Sequence, residues 1–331
     1  MFLNDMKKRI IYPKNKDFAF TIFDDTDVST LENIKPIYDY LYSLGILTTK
    51  SVWPLKYNGG YSDFAGSHTL EDKEYAKYVK GLSERGFEIA FHGAAMESSL
   101  RETTIAGLER FRDVVGYCPR SYACHGKNRE NLYWGSQRFS FGVFGRIYGL
   151  LDRRSKGYFA GEVQESKYFW GDVCRQHIDY VRTFTYNNIN LLNVSRCLPY
   201  KAPHFPYFNA CFFTSEAGNV EEFNTFLSPE RFQRLVDQRG VCILSVHFGK
   251  GFVKNGEVNS KTKEILEKVA GANGWFVPVA KMLDFLRGQQ VDIRISQRAM
   301  FILELKWFLN TIRRRREGRP YEKTELKYLA V

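Results

Sequence analysis

The sequence predicts an α/β fold built as a single (β/α) barrel, and three observations support that prediction. Short apolar runs alternate with amphipathic helical segments through most of the 331 residues. The runs lack a polar face, which is typical of parallel strands that are buried on both sides. Several runs end in an acid or a histidine, as expected where the loops of a barrel meet at one rim.

The elements can be placed in order along most of the chain. The first predicted strand is the run Asp17–Phe23, which is followed by acidic residues. Ser29 or Thr30 can cap a helix that continues to Leu44, where Gly45 ends it. Further strands are predicted at residues 46–55, 87–91, 121–124, 241–246 and 275–279. Further helices are predicted at residues 71–85 and 101–115, after Ser228-Pro-Glu, at residues 261–269, and through Leu286. This alternation indicates a parallel sheet or barrel.

The chain divides into three predicted parts. Residues 1–16 form an N-terminal lead, residues 17–290 the barrel, and residues 291–331 a basic amphipathic C-terminal tail. A Gly- and Tyr-rich excursion at about residues 127–215 is expected to mix helix and strand. In the tail, one helical face carries Phe301, Ile302, Leu305, Phe308, Leu309 and Ile312. An arginine run follows, so the helix either packs on the barrel or lies on an anionic membrane surface, and the sequence leaves both open.

Composition limits the partners and the compartment. The net charge is +11 and the pI about 9.2, which favours anionic partners. Basic clusters at Lys7–Arg9 and Arg313–Arg316 explain much of this charge, and no nucleic-acid motif is present, so no nucleic-acid partner is expected. The six cysteines are scattered without a CxxC pair, which favours reduced thiols. We therefore expect a cytoplasmic protein, with peripheral contact at the inner membrane surface as an open alternative.

Chemistry-bearing side chains follow four of the predicted strands. Asp24, Asp25 and Asp27 come after the first strand, and single histidines, His92, His125 and His247, come after three others. One carboxylate and two imidazoles with an open position suit Zn²⁺ or a similar metal. Such a metal would polarise a carbonyl and lower the pKa of bound water, while a second carboxylate accepts the proton.

The motifs resemble those of a known family. TIFDDTD at residues 21–27 resembles the first motif of the polysaccharide deacetylase (NodB-homology) family, within the glycoside hydrolase/deacetylase superfamily. FEIAFHG resembles the start of its second motif, RSYACHG falls where the third is expected, and ILSVHF resembles its last. The resemblance covers roughly residues 17–290. It implies an irregular seven-stranded barrel and metal-dependent removal of an N-acetyl or similar N-acyl group.

The resemblance also implies roles for particular residues. Asp24 is similar to the family's general base, and Asp25 and His92 are similar to its metal ligands. His247 resembles the histidine that assists the leaving group and steadies the oxyanion. Arg120 corresponds to the arginine that orients the base, although the proline and aromatic residue expected after it are absent.

One position departs from the family's second motif. The second histidine of that motif stands four residues after the first, and here that residue is Met96. A thioether is a poor zinc ligand, so another group must replace it if the metal is retained. His125 is the preferred replacement because it ends a neighbouring strand and precedes a glycine, as His92 does. The expected zinc ligands are therefore Asp25, His92 and His125.

The predicted substrate is an amino-sugar intermediate or polysaccharide, nucleotide-linked or lipid-linked, in cell-surface polysaccharide biosynthesis. The rim residues expected to bind it are Asp27, Trp53, Glu97, Asn128 and Trp134. Two alternatives stay open. One is a metal-free glycoside hydrolase that uses Asp24 with Glu97 or Asp27, and the other is a carbohydrate-binding relative without catalysis.

Overall fold

The computed structural model of the chain describes residues 10–151 and 157–316. Lys7 to Arg9 and all residues beyond Arg316, about which the sequence analysis made predictions, lie outside these ranges. The sheet is a closed barrel of seven parallel strands arranged in chain order. These strands are β1 (Phe18–Asp24), β2 (Thr49–Val52), β3 (Glu88–Phe91), β4 (Ser121–Tyr122), β5 (Tyr180–Tyr186), β6 (Ala210–Glu216) and β7 (Val241–Val246). The predicted (β/α) barrel is confirmed.

The barrel closes between its first and last strands. β1 pairs with β7 from Ala19 opposite Val241 to Asp24 opposite Val246. The other edge of β1 is shared, because β2 pairs only with Phe23 and Asp24. The first half of that edge pairs with a short additional strand, β10 (Gly274–Phe276). In the chain between β7 and β10, the strands β8 (Val253–Lys254) and β9 (Glu257–Val258) form a small antiparallel hairpin.

Helices cover the outside of the barrel. They are α1 (Leu31–Ser43), α2 (Lys73–Glu84), α3 (Arg101–Val115), α4 (Gly142–Leu151), α5 (Gly171–His177), α6 (Val220–Phe226), α7 (Pro229–Asp237), α8 (Ser260–Gly271), α9 (Val279–Gly288) and α10 (Gln297–Arg316). α1 shows how the sequence specifies them. Thr30 and Asn33 form a capping box at its start, while Ile34, Ile37 and Leu41 are buried on one face.

The region of residues 127–215 contributes two strands of the barrel itself. β5 and β6 lie within it and pair closely, with a register shift between Arg182 and Phe184. The sequence predicts mixed helix and strand here without placing either strand. α4 and α5 occupy the rest of the region together with irregular chain.

α10 packs on the barrel through one face. Leu303, Trp307 and Phe308 are buried, and the ring of Phe308 lies 5.1 Å from that of Phe144 in α4. Tyr186, at the end of β5, donates a hydrogen bond to the Leu303 carbonyl. Among the described residues, no helix has both the length and the apolar character needed to cross a bilayer.

Candidate active site

Asp24, the last residue of β1, points toward α1. Its Oδ2 lies 3.0 Å from Lys50 Nζ and accepts a hydrogen bond from Tyr38 Oη, while its Oδ1 accepts one from the Phe248 amide. Both charged side chains are fully buried. Burial raises the pKa of the Asp24 carboxyl, and the charge of Lys50 acts against that rise. The partners of Asp24 are thus Lys50, Tyr38 and the Phe248 amide, and no histidine is among them, so this geometry does not present it as the general base of a histidine cluster.

Asp25 faces the barrel interior, because successive side chains of an extended chain point in opposite directions. Arg182 of β5 binds both carboxylate oxygens, at 3.0 and 2.8 Å. Ser245 of β7 donates to Oδ2 at 3.2 Å. Burial disfavours the charge, but Arg182 and the nearby histidines hold the pKa of Asp25 below its ordinary value. Asp25 is thus an ionised carboxylate inside the barrel.

Asp27 stands at the centre of the three histidines. Its Oδ1 faces His92 Nε2 at 3.3 Å and His125 Nε2 at 4.0 Å. Its Oδ2 faces His247 Nε2 at 3.2 Å and Lys250 Nζ at 3.6 Å. Burial opposes its charge, yet these cations and imidazoles hold the pKa of Asp27 well below the ordinary range. Asp27 therefore faces all three histidines, whereas Asp25 lies near two of them, 3.8 Å from His92 Nδ1 and 3.9 Å from His247 Nε2.

Two backbone features bring the Asp27 and His247 loops together. Val28 has φ 52°, a left-handed conformation that is costly for a β-branched residue and often marks a functional site. Gly249 packs against this turn so closely that a Cβ atom on it would lie 2.6 Å from the Val28 carbonyl oxygen. A glycine two residues after His247 is therefore needed for the loop to approach Asp27.

The hydrogen bonds of Asn128 fix the tautomer of His125. The amide nitrogen of Asn128 donates to the Ala95 and Glu97 carbonyls and to Glu130 Oε1. Its Oδ1 must then be the atom that lies 3.1 Å from His125 Nδ1. Since that oxygen can only accept, Nδ1 carries the hydrogen, and a neutral His125 presents the lone pair of Nε2 to Asp27.

His247 is held differently, and both of its ring nitrogens face oxygen acceptors. Nδ1 lies 3.1 Å from the Gly218 carbonyl oxygen, and Nε2 lies 3.2 Å from Asp27 Oδ2. Both contacts are hydrogen bonds only when both nitrogens carry a proton. A proton on Nε2 would lie between His247 and Asp27, so this ring nitrogen is the one placed to donate a proton at the site.

The donor set meets part of what a metal ion requires. Among the described residues, no group of three or more His, Cys, Asp or Glu side chains stands in ready metal-binding geometry. Two ligands about 2.1 Å from a tetrahedral metal lie about 3.4 Å apart, which the His92–Asp27 separation matches and the longer His125–Asp27 separation does not. The chemistry of the donors fits, however. His92 Nδ1 is buried without a hydrogen-bond partner, and Asp25 Oδ1 is 3.8 Å away. A cation on Nε2 would place the ring proton on Nδ1, facing that carboxylate.

Met96 lies in the packing layer above the histidines. It forms a small buried cluster with Trp53 and Phe64. The Phe64 ring contacts that of His125 edge-on at 4.7 Å, and the Trp53 ring lies 5.6 Å from that of His92. The methionine is thus part of an apolar cover over the site. Trp53 was predicted to bind substrate, but it is fully buried and packs on the histidines instead.

Arg120 lies at the opposite end of the barrel from the cluster. It precedes β4 and forms ion pairs with Asp179, which precedes β5, and with Asp284 of α9. It cannot orient the base, so that prediction is corrected. Arg182 provides the arginine–carboxylate contact that the resemblance implied.

Two other predicted substrate-binding residues have partners of their own. Glu97 accepts a hydrogen bond from Ser62 at 2.7 Å. The ring of Trp134 lies under the Arg138 guanidinium, 3.7 Å away. Asp24 is enclosed between Lys50 and Tyr38. In the two-carboxylate glycoside hydrolase alternative, it would have to leave these partners to act with Glu97 or Asp27.

Three important residues were missed by the sequence analysis. Arg182 is the only charged residue in the run YVRTFTY, and a single arginine in a buried strand signals an acidic partner. Lys250, three residues after His247, is almost fully buried beside Asp27. Lys50 lies on β2 and could have been suspected for the same reason as Arg182.

The chain resembles known proteins in its fold and not in its sequence. No family model matches the chain, and no curated protein matches it. The chain is similar in fold to a protein from Mycobacterium smegmatis assigned provisionally as a polysaccharide deacetylase, at 12% identity and a TM-score of 0.49, over 87% of this chain and 96% of that one. It is similar to PuuE allantoinase at 11% identity and a TM-score of 0.48, over 84% and 93% of the two chains. A further provisional polysaccharide deacetylase, from Pseudomonas aeruginosa PAO1, gives 10% identity and 0.47, over 84% and 94%. The likeness is one of overall fold.

Proposed function

We propose that the protein is a metal-dependent amidohydrolase that removes an N-acetyl or similar N-acyl group from an amino sugar. One observation carries the proposal: Asp27 Oδ1 faces the Nε2 atoms of His92 and His125, while Nδ1 of His125 is turned to the Asn128 side-chain oxygen. A cation between these three atoms would bind one carboxylate oxygen and two imidazole nitrogens, which is a donor set that suits Zn²⁺. Asp27, His92 and His125 would hold that cation, most simply Zn²⁺.

The proposed ligand set differs from the one predicted from the sequence by one carboxylate. Asp25 was expected to bind the metal, but Arg182 already contacts both of its oxygens. Asp25 faces the barrel interior beside His92 and His247, so we assign it as the base, and Asp27 takes the ligand position. When bound, the metal would polarise the acyl carbonyl and lower the pKa of a bound water.

The remaining side chains supply acid–base chemistry for amide hydrolysis. Asp25 accepts a proton from the attacking water, since Arg182 keeps it ionised. His247 donates a proton from Nε2 to the departing nitrogen as the C–N bond breaks. Lys250 lies on the Oδ2 side of Asp27 and balances the charge of that carboxylate. The products are a free carboxylic acid and an amine.

The proposed substrate class rests on two features. The motif order resembles that of polysaccharide deacetylases, and the net charge of +11 suits an amino sugar linked through phosphate groups. An amino-sugar intermediate of cell-surface polysaccharide synthesis, linked to a nucleotide or to a lipid diphosphate, carries both an N-acyl group and phosphate charges. The charge does not distinguish the two linkages, so both belong in a substrate panel.

The first experiment measures zinc by mass spectrometry in the purified full-length protein after zinc loading. We expect about one zinc per chain in the wild type. His125→Ala and Asp27→Ala should each abolish stoichiometric binding. The control His204→Ala should not, because the contacts of His204 within the described ranges are with the Gln137 carbonyl and nearby rings. Wild-type protein that takes up no zinc would refute the metal centre.

Activity is tested as release of free acid from N-acylated amino sugars, alone and linked to a nucleotide or a lipid diphosphate. The proposal expects release that a chelator stops and zinc restores. Release that a chelator leaves unchanged would favour metal-free hydrolysis. Sugar binding without any release, in zinc-loaded protein, would favour the carbohydrate-binding alternative.

A further inference from the structure

Two neighbouring helices carry an exposed apolar surface. On α10, Phe301, Ile302, Leu305, Leu309 and Ile312 are each between 37% and 58% exposed. On α4, the exposed residues are Val143, Ile147 and Leu150, which are 44% to 85% exposed. The helices touch, since the Phe301 ring packs against those of Phe141 and Phe144. We call these eight exposed residues the α4–α10 surface.

The apolar character of α10 exceeds what its packing requires. Leu303, Trp307 and Phe308 bury one face of the helix on the barrel. A surface helix that is packed in this way normally presents polar residues on its opposite face. Here that opposite face carries the α10 part of the α4–α10 surface. The sequence left two possibilities open, and each corresponds to a different face of α10. One face packs on the barrel, and the opposite face presents apolar residues that a membrane could bind.

The charges on these helices have one sign. The only charged residue of α4 is Arg146, which is exposed. α10 contains a single acid, Glu304, which is completely buried and accepts hydrogen bonds from the Ser140 and Phe141 amides. Its exposed charged residues include Arg298 and Arg313. The α4–α10 surface is therefore accompanied by basic groups with no exposed acid on either helix.

The surface adjoins the rim that carries the candidate active site. Arg314, near the end of α10, forms an ion pair with Glu216 at the end of β6. Asn310 accepts a hydrogen bond from the amide of Asn187, which directly follows β5. These contacts fix the C-terminal part of α10 beside the ends of two barrel strands. Anything bound to the α4–α10 surface would thus lie next to the strand ends that carry the candidate active site.

We propose that the α4–α10 surface docks the protein on an anionic membrane. Partial insertion of exposed Leu, Ile and Phe side chains, combined with arginines at the headgroups, is the combination that holds amphipathic helices at such an interface. A symmetric contact with a second copy would instead bring like-charged arginines together. The proposal depends on the surface alone and not on the reaction that the barrel catalyses.

The test is co-sedimentation of the full chain with vesicles of phosphatidylcholine alone or mixed with phosphatidylglycerol. Leu305→Ser/Leu309→Ser should weaken partitioning by about tenfold or more through lost apolar contact. Ile11→Ser/Val163→Ser replaces exposed apolar residues elsewhere and should bind as the wild type. The changed residues are exposed, so thermal unfolding should show that all variants fold.

Charge is tested separately. Arg146→Gln/Arg298→Gln should weaken binding to the anionic vesicles by about 30-fold, at about fivefold for each charge. Lys254→Gln/Lys268→Gln changes two exposed lysines on other elements and should have little effect. The proposal is overturned if the wild type binds no anionic vesicle or if the leucine variant binds as well as the wild type. A third outcome also overturns the proposal: the wild type binds no vesicles and is a dimer in solution, while the leucine variant is a monomer. That result would identify the surface as a contact between copies.

Discussion

Replacing Asp24 separates a structural role for this acid from a catalytic one. Asp24→Asn keeps one acceptor oxygen, for the Phe248 amide, but places an NH2 group beside Tyr38 and leaves Lys50 buried without its counter-ion. Breaking a fully buried pair in this way costs about 3–5 kcal/mol. For 331 residues the entropy of unfolding is roughly 0.7 kcal/mol/K, so the Tm should fall by about 4–7 °C.

The double variant Asp24→Asn/Lys50→Met removes both charges and supplies the decisive comparison. We expect it to recover at least half of the lost stability, because no unpaired charge remains. It should also keep wild-type zinc content and hydrolysis, measured beside its thermal unfolding. If the double variant is as stable as the wild type but has lost about a thousandfold in rate, Asp24 is the base and our assignment of Asp25 is wrong.

Three further predictions concern the neighbouring groups. Asp25→Asn should lower hydrolysis by about a thousandfold while zinc content is retained; zinc loss together with activity would make Asp25 a ligand. Asn128→Leu removes the acceptor that orients His125 and should weaken zinc binding by about 10- to 100-fold in calorimetry, and unchanged affinity would contradict the tautomer argument. Burial raises the pKa of Glu130 to about 7, so its folded form releases its proton at higher pH than its unfolded form. The contribution of Glu130 to the free energy of unfolding should therefore be highest below pH 4.5. It should fall by about 3 kcal/mol as the pH rises through 7. Glu130→Gln should remove that part of the dependence, and equal pH slopes for the two proteins would refute it.

The barrel and its histidines were largely accessible from the sequence because both depend on local patterns. Apolar runs followed by His92, His125 and His247 identify strand ends, and parallel strands bring those ends to one rim. The same reasoning suggested His125 as the companion of His92. The structure places their rings 5.9 Å apart, with Asp27 facing both.

The surroundings of the three acids were harder to predict, because they depend on the direction of each side chain. The motif resemblance assigns roles by the order of the residues in the motif, so it predicted Asp24 as the general base and Asp25 as a metal ligand. Alternation along the extended chain instead turns Asp24 toward α1 and Asp25 toward the interior. Arg182 was missed for another reason: its strand lies in a Tyr-rich region where apolar periodicity is weak, and its partner Asp25 is distant in sequence.

The shared edge of β1 has a consequence for how the protein is made. This strand leaves the ribosome early, yet both of its long-range neighbours, β7 and β10, are encoded near the end of the barrel. Until Val241 and then Gly274 have emerged, β1 has only its short pairing with β2, and the ring stays open. Such distant pairings slow folding and leave strand edges exposed in the meantime. Newly synthesised chains must therefore keep this apolar strand from pairing with other partners while the rest of the barrel is translated.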